Sequence, residues 1–146
     1  MAAFAAALAL LRCAGAEPGP APLDAKNDTC RACRMPVSDA RLAAQLVAPG
    51  EEPMFFDDIG CLRDHLIQHP AERGAVAYVA DHRTGAWVRA GQALFTRCPD
   101  VPTPMGSHLL AHAGAASRDA DPTARGGAPV APQEIFGPAG PPGGTR

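Results

Sequence analysis

The chain has 146 residues, enough for one domain but too few for two full hydrophobic cores. Its formal net charge of -2 argues against nucleic acid as the main partner, because phosphate binding needs a basic surface. The 16 prolines and 15 glycines are concentrated towards both ends, so we expect the packed domain to be shorter than the chain.

The N-terminus has the pattern of an export signal. Residues 2–11 form an unbroken apolar run, too short to span a bilayer but suited to the core of a signal peptide. Residues 14–16 (Ala-Gly-Ala) supply a cleavage pattern of small residues. We therefore predict a signal peptide at residues 1–16 and an exported protein. Cys13 offers a second hypothesis, in which this cysteine carries a lipid that anchors the protein to a membrane.

Residues 17–27 are rich in Pro, Ala and Gly and are predicted to be a flexible linker. The predicted folded domain covers residues 28–113. Short strands are predicted at residues 41–47, 54–56, 75–79, 87–88 and 93–96. A helix is predicted between the Asp57-Asp58 pair, which offers an N-cap, and Pro70, which ends it.

A second, short helix is predicted across Leu109 and Leu110. Residues 114–146 are rich in Gly and Pro, and we predict a mostly disordered tail there. The order of elements predicts a small α+β domain of short antiparallel strands with one or two helices.

Sulfur donors are the most informative chemical feature of the sequence. Cys30 and Cys33 form a C-x-x-C pair, and Met35 adds a thioether two residues later. Thiolates and thioethers are soft donors that together favour Cu(I). Met105 lies in a Pro-Met-Gly turn. Its side chain is equally well interpreted as a metal ligand or as an ordinary core residue.

Other interpretations of the cysteines remain open at this point. Signal cleavage leaves four of them, Cys30, Cys33, Cys61 and Cys98, which two disulfides could join in an oxidising compartment. A zinc site would need a second Cys or His pair at regular spacing, and a redox C-x-x-C would need a strand before it and a helix after it. The histidines are interpreted as surface groups, with His108 and His112 as a weak accessory metal site at i,i+4 spacing. No catalytic motif is present, so we predict that the protein is not an enzyme.

The motifs C-x-x-C-x-M, F-F-D-D-I-G-C-L, A-Y-V-x-D-x-x-T-G-x-W-V-x-A and T-P-M-G-S follow one another between residues 30 and 113. This order resembles the NosL family of copper-binding accessory proteins, which are associated with maturation of the denitrification enzyme nitrous oxide reductase. The resemblance implies a domain of two related ββα-like halves. It also implies Cu(I) ligands at Cys33, Met35 and Met105. To these we add Cys30 as the next candidate ligand and Cys61 as a reserve candidate.

On this resemblance we expect a periplasmic metallochaperone, often lipid-anchored in the family, that delivers Cu(I) to a copper-enzyme apoprotein or its assembly complex. A disulfide-stabilised interaction domain and a copper sequestration or sensing protein are the alternatives. The sequence departs from the family pattern at Arg34, where many relatives have glycine, and at His108, where a small residue is common. Three prolines are expected to erode the second half: Pro122, Pro129 and Pro132.

Overall fold

The computed structural model describes residues 17–144, so the predicted signal peptide at residues 1–16, with Cys13, lies outside the described residues. Within the described range the chain forms two antiparallel sheets with short helices packed against them. This arrangement confirms the predicted α+β class. Along residues 17–144, no helix combines the length and the hydropathy needed to cross a membrane.

The first sheet contains the four strands β1 (Ala44–Val47), β2 (Met54–Phe56), β3 (Val76–Ala80) and β4 (Trp87–Arg89), in the spatial order β2-β1-β3-β4. Helix α1 (Ile59–Gln68) connects β2 to β3. Its N-cap is Asp58, whose side chain accepts a hydrogen bond from the Gly60 N–H at 2.6 Å. The helix buries Ile59 and Leu62 against the sheet, and Pro70 follows its end.

The second half contains β5 (Leu94–Arg97), β6 (Leu109–His112), α2 (Ala115–Asp119), a 3-10 turn (Pro122–Ala124), β7 (Ala128–Val130) and α3 (Pro132–Phe136). Its strands lie in the order β6-β5-β7. One apolar cluster joins the halves, because Phe56 and Leu62 of the first pack with Phe95, Leu109 and Ile135 of the second.

The structure corrects the expectation of a mostly disordered tail over residues 114–146, since residues 115–136 form ordered elements. The three prolines that were expected to erode this half occupy positions that need no N–H donor. Pro122 and Pro132 open helical segments, where the first N–H has no intrahelical partner. Pro129 lies in β7, which is an edge strand.

Two further predictions differ from the structure. Leu109 and Leu110 belong to strand β6 rather than a short helix, because β5 pairs with them in antiparallel register. The segment 17–27 does not form a free linker, since it lies along the first sheet. The Pro18 carbonyl accepts a hydrogen bond from the Tyr78 hydroxyl, and Ala21 exchanges two hydrogen bonds with the Gln45 side chain.

Candidate metal centre

Three thiols and one carboxylate converge where the Cys30–Met35 loop meets the start of α1. The Sγ atoms of Cys30, Cys33 and Cys61 and a carboxylate oxygen of Asp57 all lie within 4.8 Å of one another. Cys30, Cys61 and Asp57 are buried, and Cys33 is half-buried. The Cys33 thiol donates a hydrogen bond to Asp57 at 3.4 Å. Cys33 therefore lies between a buried group of donors and the surface.

A tight loop holds the C-x-x-C pair in place. The Cys30 N–H donates to the Met35 carbonyl at 2.8 Å, and the Arg34 N–H donates to the Cys30 carbonyl at 3.0 Å. The Arg31 N–H donates to the Phe55 carbonyl at 2.7 Å, which attaches the loop to β2. Arg34 has a φ of 67°, a left-handed conformation that glycine adopts at little cost. The position at which the family resemblance expects glycine is thus one whose backbone favours glycine.

The environment of the cluster favours the protonated thiols of Cys33 and Cys61 when no metal is bound. Burial raises the pKa of Cys33, and the neighbouring Cys30 and Asp57 raise it further. Burial also raises the pKa of Cys61, with Cys30 and Asp57 again adding to the effect. A bound metal ion must replace these protons, so binding at the cluster is coupled to proton release.

Two methionine side chains flank this cluster in an open cleft of about 590 Å³. The residues that line the cleft include Cys33, Met35, Asp57, Pro104 and Met105. Met35 is 57% exposed and Met105 is 54% exposed, although large apolar side chains are usually buried. The cleft therefore combines one thiol and two accessible thioethers above a buried set of thiols.

Asp58 positions the second methionine relative to the first half. Its Oδ2 accepts a hydrogen bond from the Met105 N–H at 2.9 Å, while its Oδ1 caps α1. Burial alone would raise the pKa of Asp58, but hydrogen bonds from Ser107, Met105 and Gly60 outweigh it and lower the pKa. An ionised carboxylate therefore ties the Met105 turn to the helix that carries Cys61.

The structure thus brings the predicted residues Cys30, Cys33 and Cys61 into one cluster, and Met35 and Met105 into the cleft beside Cys33. Their role as metal ligands stays a prediction. Cys98 lies elsewhere, in a small apolar cluster with Leu42, Leu110 and Ala124. All four cysteines of the described range are free thiols.

Sequence reasoning missed Asp57 as a member of the cluster, because it assigned both aspartates of the Asp57-Asp58 pair to helix capping. An N-cap uses only one carboxylate, and the structure gives that role to Asp58. The second aspartate, which lies four residues before Cys61 and has no capping role, was the signal that could have identified it.

Comparison with known proteins agrees with this geometry. The NosL family model matches residues 20–136, so the chain belongs to the NosL family of copper-binding accessory proteins. No curated protein and no solved structure matches the chain. The family match extends through β7 and α3, beyond the predicted domain that ends at residue 113.

Proposed function

We propose that the protein binds Cu(I) through Cys33, Met35 and Met105, and delivers it to a copper enzyme outside the cytoplasm. The observation that carries the proposal is the cleft in which two exposed thioethers flank a half-buried thiol. Thiolate and thioether sulfur selects Cu(I) over harder cations. Membership in the NosL family supports nitrous oxide reductase, or its assembly complex, as the recipient.

The exposed methionines favour transfer over permanent binding. A neutral thioether is a weaker ligand than a thiolate, and both methionines are accessible to a partner's donor atoms. An incoming ligand can therefore displace one thioether while Cys33 still holds the ion. Copper stays monovalent during this exchange, so neither protein needs an electron donor or acceptor.

The titration of reduced protein with Cu(I), against a chromogenic Cu(I) chelator and without oxygen, tests the site. We expect Cys33→Ala, Met35→Leu and Met105→Leu each to weaken Cu(I) binding by about tenfold or more, which is about 1.4 kcal/mol. Two control variants replace the same types of residue, one cysteine and one methionine, at positions outside the cleft. They are Cys98→Ala, in the separate apolar cluster, and Met54→Leu, which packs on the core. Equal effects of cleft and control variants would contradict the assignment.

Delivery needs its own test. Cu(I)-loaded protein is mixed with apo nitrous oxide reductase, and copper is followed after the two are separated. We expect transfer to be faster than from a Cu(I)–chelator complex of equal affinity. Transfer no faster than from the chelator would contradict delivery while leaving the binding site intact.

One observation favours copper sequestration as a second candidate. Cys30 and Cys61 are buried within 4.8 Å of Cys33, and three thiolates would hold Cu(I) more tightly than one thiolate with two thioethers. In that case Cys30→Ala and Cys61→Ala would weaken binding more than Met35→Leu and Met105→Leu. The delivery proposal predicts that the methionine variants change the transfer rate most.

A further inference from the structure

A second group of metal-ligating side chains lies between the two halves of the molecule, apart from the thiol cluster. His82 follows β3 of the first sheet, His112 ends β6 of the second, and Asp121 precedes the 3-10 turn. One ligand atom from each lies within 4.8 Å of the other two. The expected surface location of these histidines, and the pairing of His112 with His108, are wrong. The His108 ring instead contacts the Val101 carbonyl at 2.8 Å.

Two imidazole nitrogens converge on one carboxylate oxygen. Asp121 Oδ2 lies 2.6 Å from His82 Nδ1 and 2.9 Å from His112 Nε2. All three side chains are more than nine-tenths buried. The site therefore holds one buried carboxylate group between two imidazole rings.

Among the residues that the structure describes, Asp121 is the polar group that holds the His112 ring. The Nε2 atom of His112 contacts Asp121, while its buried Nδ1 atom has no hydrogen-bond partner in this part of the chain. The other oxygen of Asp121 accepts a hydrogen bond from the Thr123 N–H at 2.9 Å, which fixes the carboxylate itself. His82 is held through its backbone, since its N–H donates to the Ala111 carbonyl at 2.8 Å. The Thr123 contact uses the carboxylate oxygen that faces neither histidine, and hydrogen bonds of this kind orient metal-ligating carboxylates in proteins.

We propose that His82, His112 and Asp121 bind a divalent transition-metal ion of the Zn²⁺ type, which joins the two halves of the domain. Two imidazole nitrogens and one carboxylate oxygen form a donor set that Zn²⁺ takes in proteins. Tetrahedral bonds of about 2.0–2.1 Å place neighbouring ligand atoms about 3.3 Å apart. The observed separations of 2.6 and 2.9 Å therefore need to open by roughly 0.4–0.7 Å.

This site differs chemically from the thiol cluster. Nitrogen and oxygen donors suit Zn²⁺, whereas the thiol and the two thioethers of the cleft suit Cu(I). The proposed ion would neutralise the buried carboxylate and hold the turn after β3 against β6. The zinc-site proposal goes beyond the copper-binding proposal, and each of the two can fail while the other holds.

The experiment is a Zn²⁺ titration of the reduced, unmutated protein, followed by the ring signals of the histidines in NMR spectra. We expect the signals of His82 and His112 to shift on Zn²⁺ addition and the melting temperature to rise. Shifts confined to half-buried His65 and exposed His69, shifts confined to the cysteines, or no shift at all would overturn the proposal. The measurement needs no substitution in the buried site.

Substitutions then test the donor set. Asp121→Asn keeps the size of the side chain but removes its charge, and we expect it to weaken Zn²⁺ binding at this site by at least about tenfold. The control is His69→Gln, on the surface of the first half. Cys33→Ala is expected to leave the His82 and His112 shifts unchanged. Should folded Asp121→Asn protein show the same shifts at the same Zn²⁺ concentrations, the proposed site would be wrong.

Discussion

The carboxylate of Asp58 accepts a hydrogen bond from the Met105 N–H at 2.9 Å, across 47 residues of sequence. The same side chain caps the helix that carries Cys61. One residue that is not a predicted ligand thus fixes the separation between the methionine turn and the thiol cluster. The geometry of the candidate metal centre depends on this connection between the two halves.

Asp58→Asn is predicted to weaken Cu(I) binding while keeping the helix. Asparagine caps helices as well as aspartate does, so its side-chain oxygen can still accept from the Gly60 N–H. Its amide group cannot accept from the Met105 N–H, so the methionine turn loses its anchor. We expect reduced Cu(I) affinity in the chelator competition, with unchanged helix content by circular dichroism. Asp64→Asn, at an exposed position of α1, is the control, and equal affinities of the two variants would contradict the role of Asp58.

Arg34→Gly is predicted to stabilise the protein by about 0.5–1 kcal/mol. The left-handed backbone of Arg34 is unfavourable for any residue with a side chain, and glycine removes this cost. Part of the gain is offset because glycine makes the unfolded protein more flexible. Arg31→Gly in the same loop is the matched control and should destabilise, because Arg31 has no left-handed backbone to relieve. Urea unfolding of the metal-free proteins measures both changes. A loss of stability in Arg34→Gly would show that contacts of the arginine outweigh its backbone strain.

Asp81 is predicted to make the stability of the fold depend on pH in the acid range. Burial would raise its pKa, but hydrogen bonds from the Ala113 N–H, Ser117 and Thr84 outweigh it and lower the pKa to about 2. A carboxyl whose pKa is lowered by folding stabilises above its ordinary pKa of 3.8, and this contribution is lost as the pH falls towards about 2. The contribution is roughly 2 kcal/mol.

Comparison of the unmutated protein with Asp81→Asn measures this contribution. The difference in unfolding free energy between the two should be largest above pH 4 and should shrink between about pH 4 and pH 2. Asp100→Asn, at an exposed position, is the control and should show a difference near zero throughout. A difference for Asp81→Asn that stays constant over this range would contradict the assignment.

Ile135→Ala is predicted to destabilise the protein by about 2–4 kcal/mol, because it leaves a cavity in the shared core. Ile135 is 4% exposed, although it lies in the part of the chain that was predicted to be disordered. Ile67→Ala makes the same chemical change at a residue that is 73% exposed, and should change stability by less than about 0.5 kcal/mol. Similar unfolding free energies for the two variants would show that α3 does not pack on the core.

Local signals in the sequence predicted the first half well. Short apolar runs separated by turn residues gave the strands, and Asp58 with Pro70 gave the limits of α1 within a residue or two. The sulfur cluster was also predictable in part, because Cys30, Cys33 and Met35 are neighbours in sequence. The turn at Met105 left a metal ligand and a core methionine as equal alternatives, and the family resemblance was needed to choose, since no local pattern determines which distant turn meets the cluster.

The second half was predicted poorly for a physical reason. Proline was interpreted as a breaker of structure, yet its effect depends on whether its position needs an N–H donor. Pro129 lies in an edge strand, and which strand forms an edge is a property of the whole sheet. His82, His112 and Asp121 are similarly brought together only by tertiary structure, across 30 and 9 residues of sequence.

X-ray absorption spectroscopy of the Cu(I)-loaded protein tests the central claim most directly, because it reports the atoms bound to the copper ion itself. We predict a coordination shell made of sulfur alone, which loses sulfur in Met35→Leu and in Met105→Leu but not in Met54→Leu. A shell containing nitrogen or oxygen ligands, or a shell that is identical in all of these variants, would contradict the account.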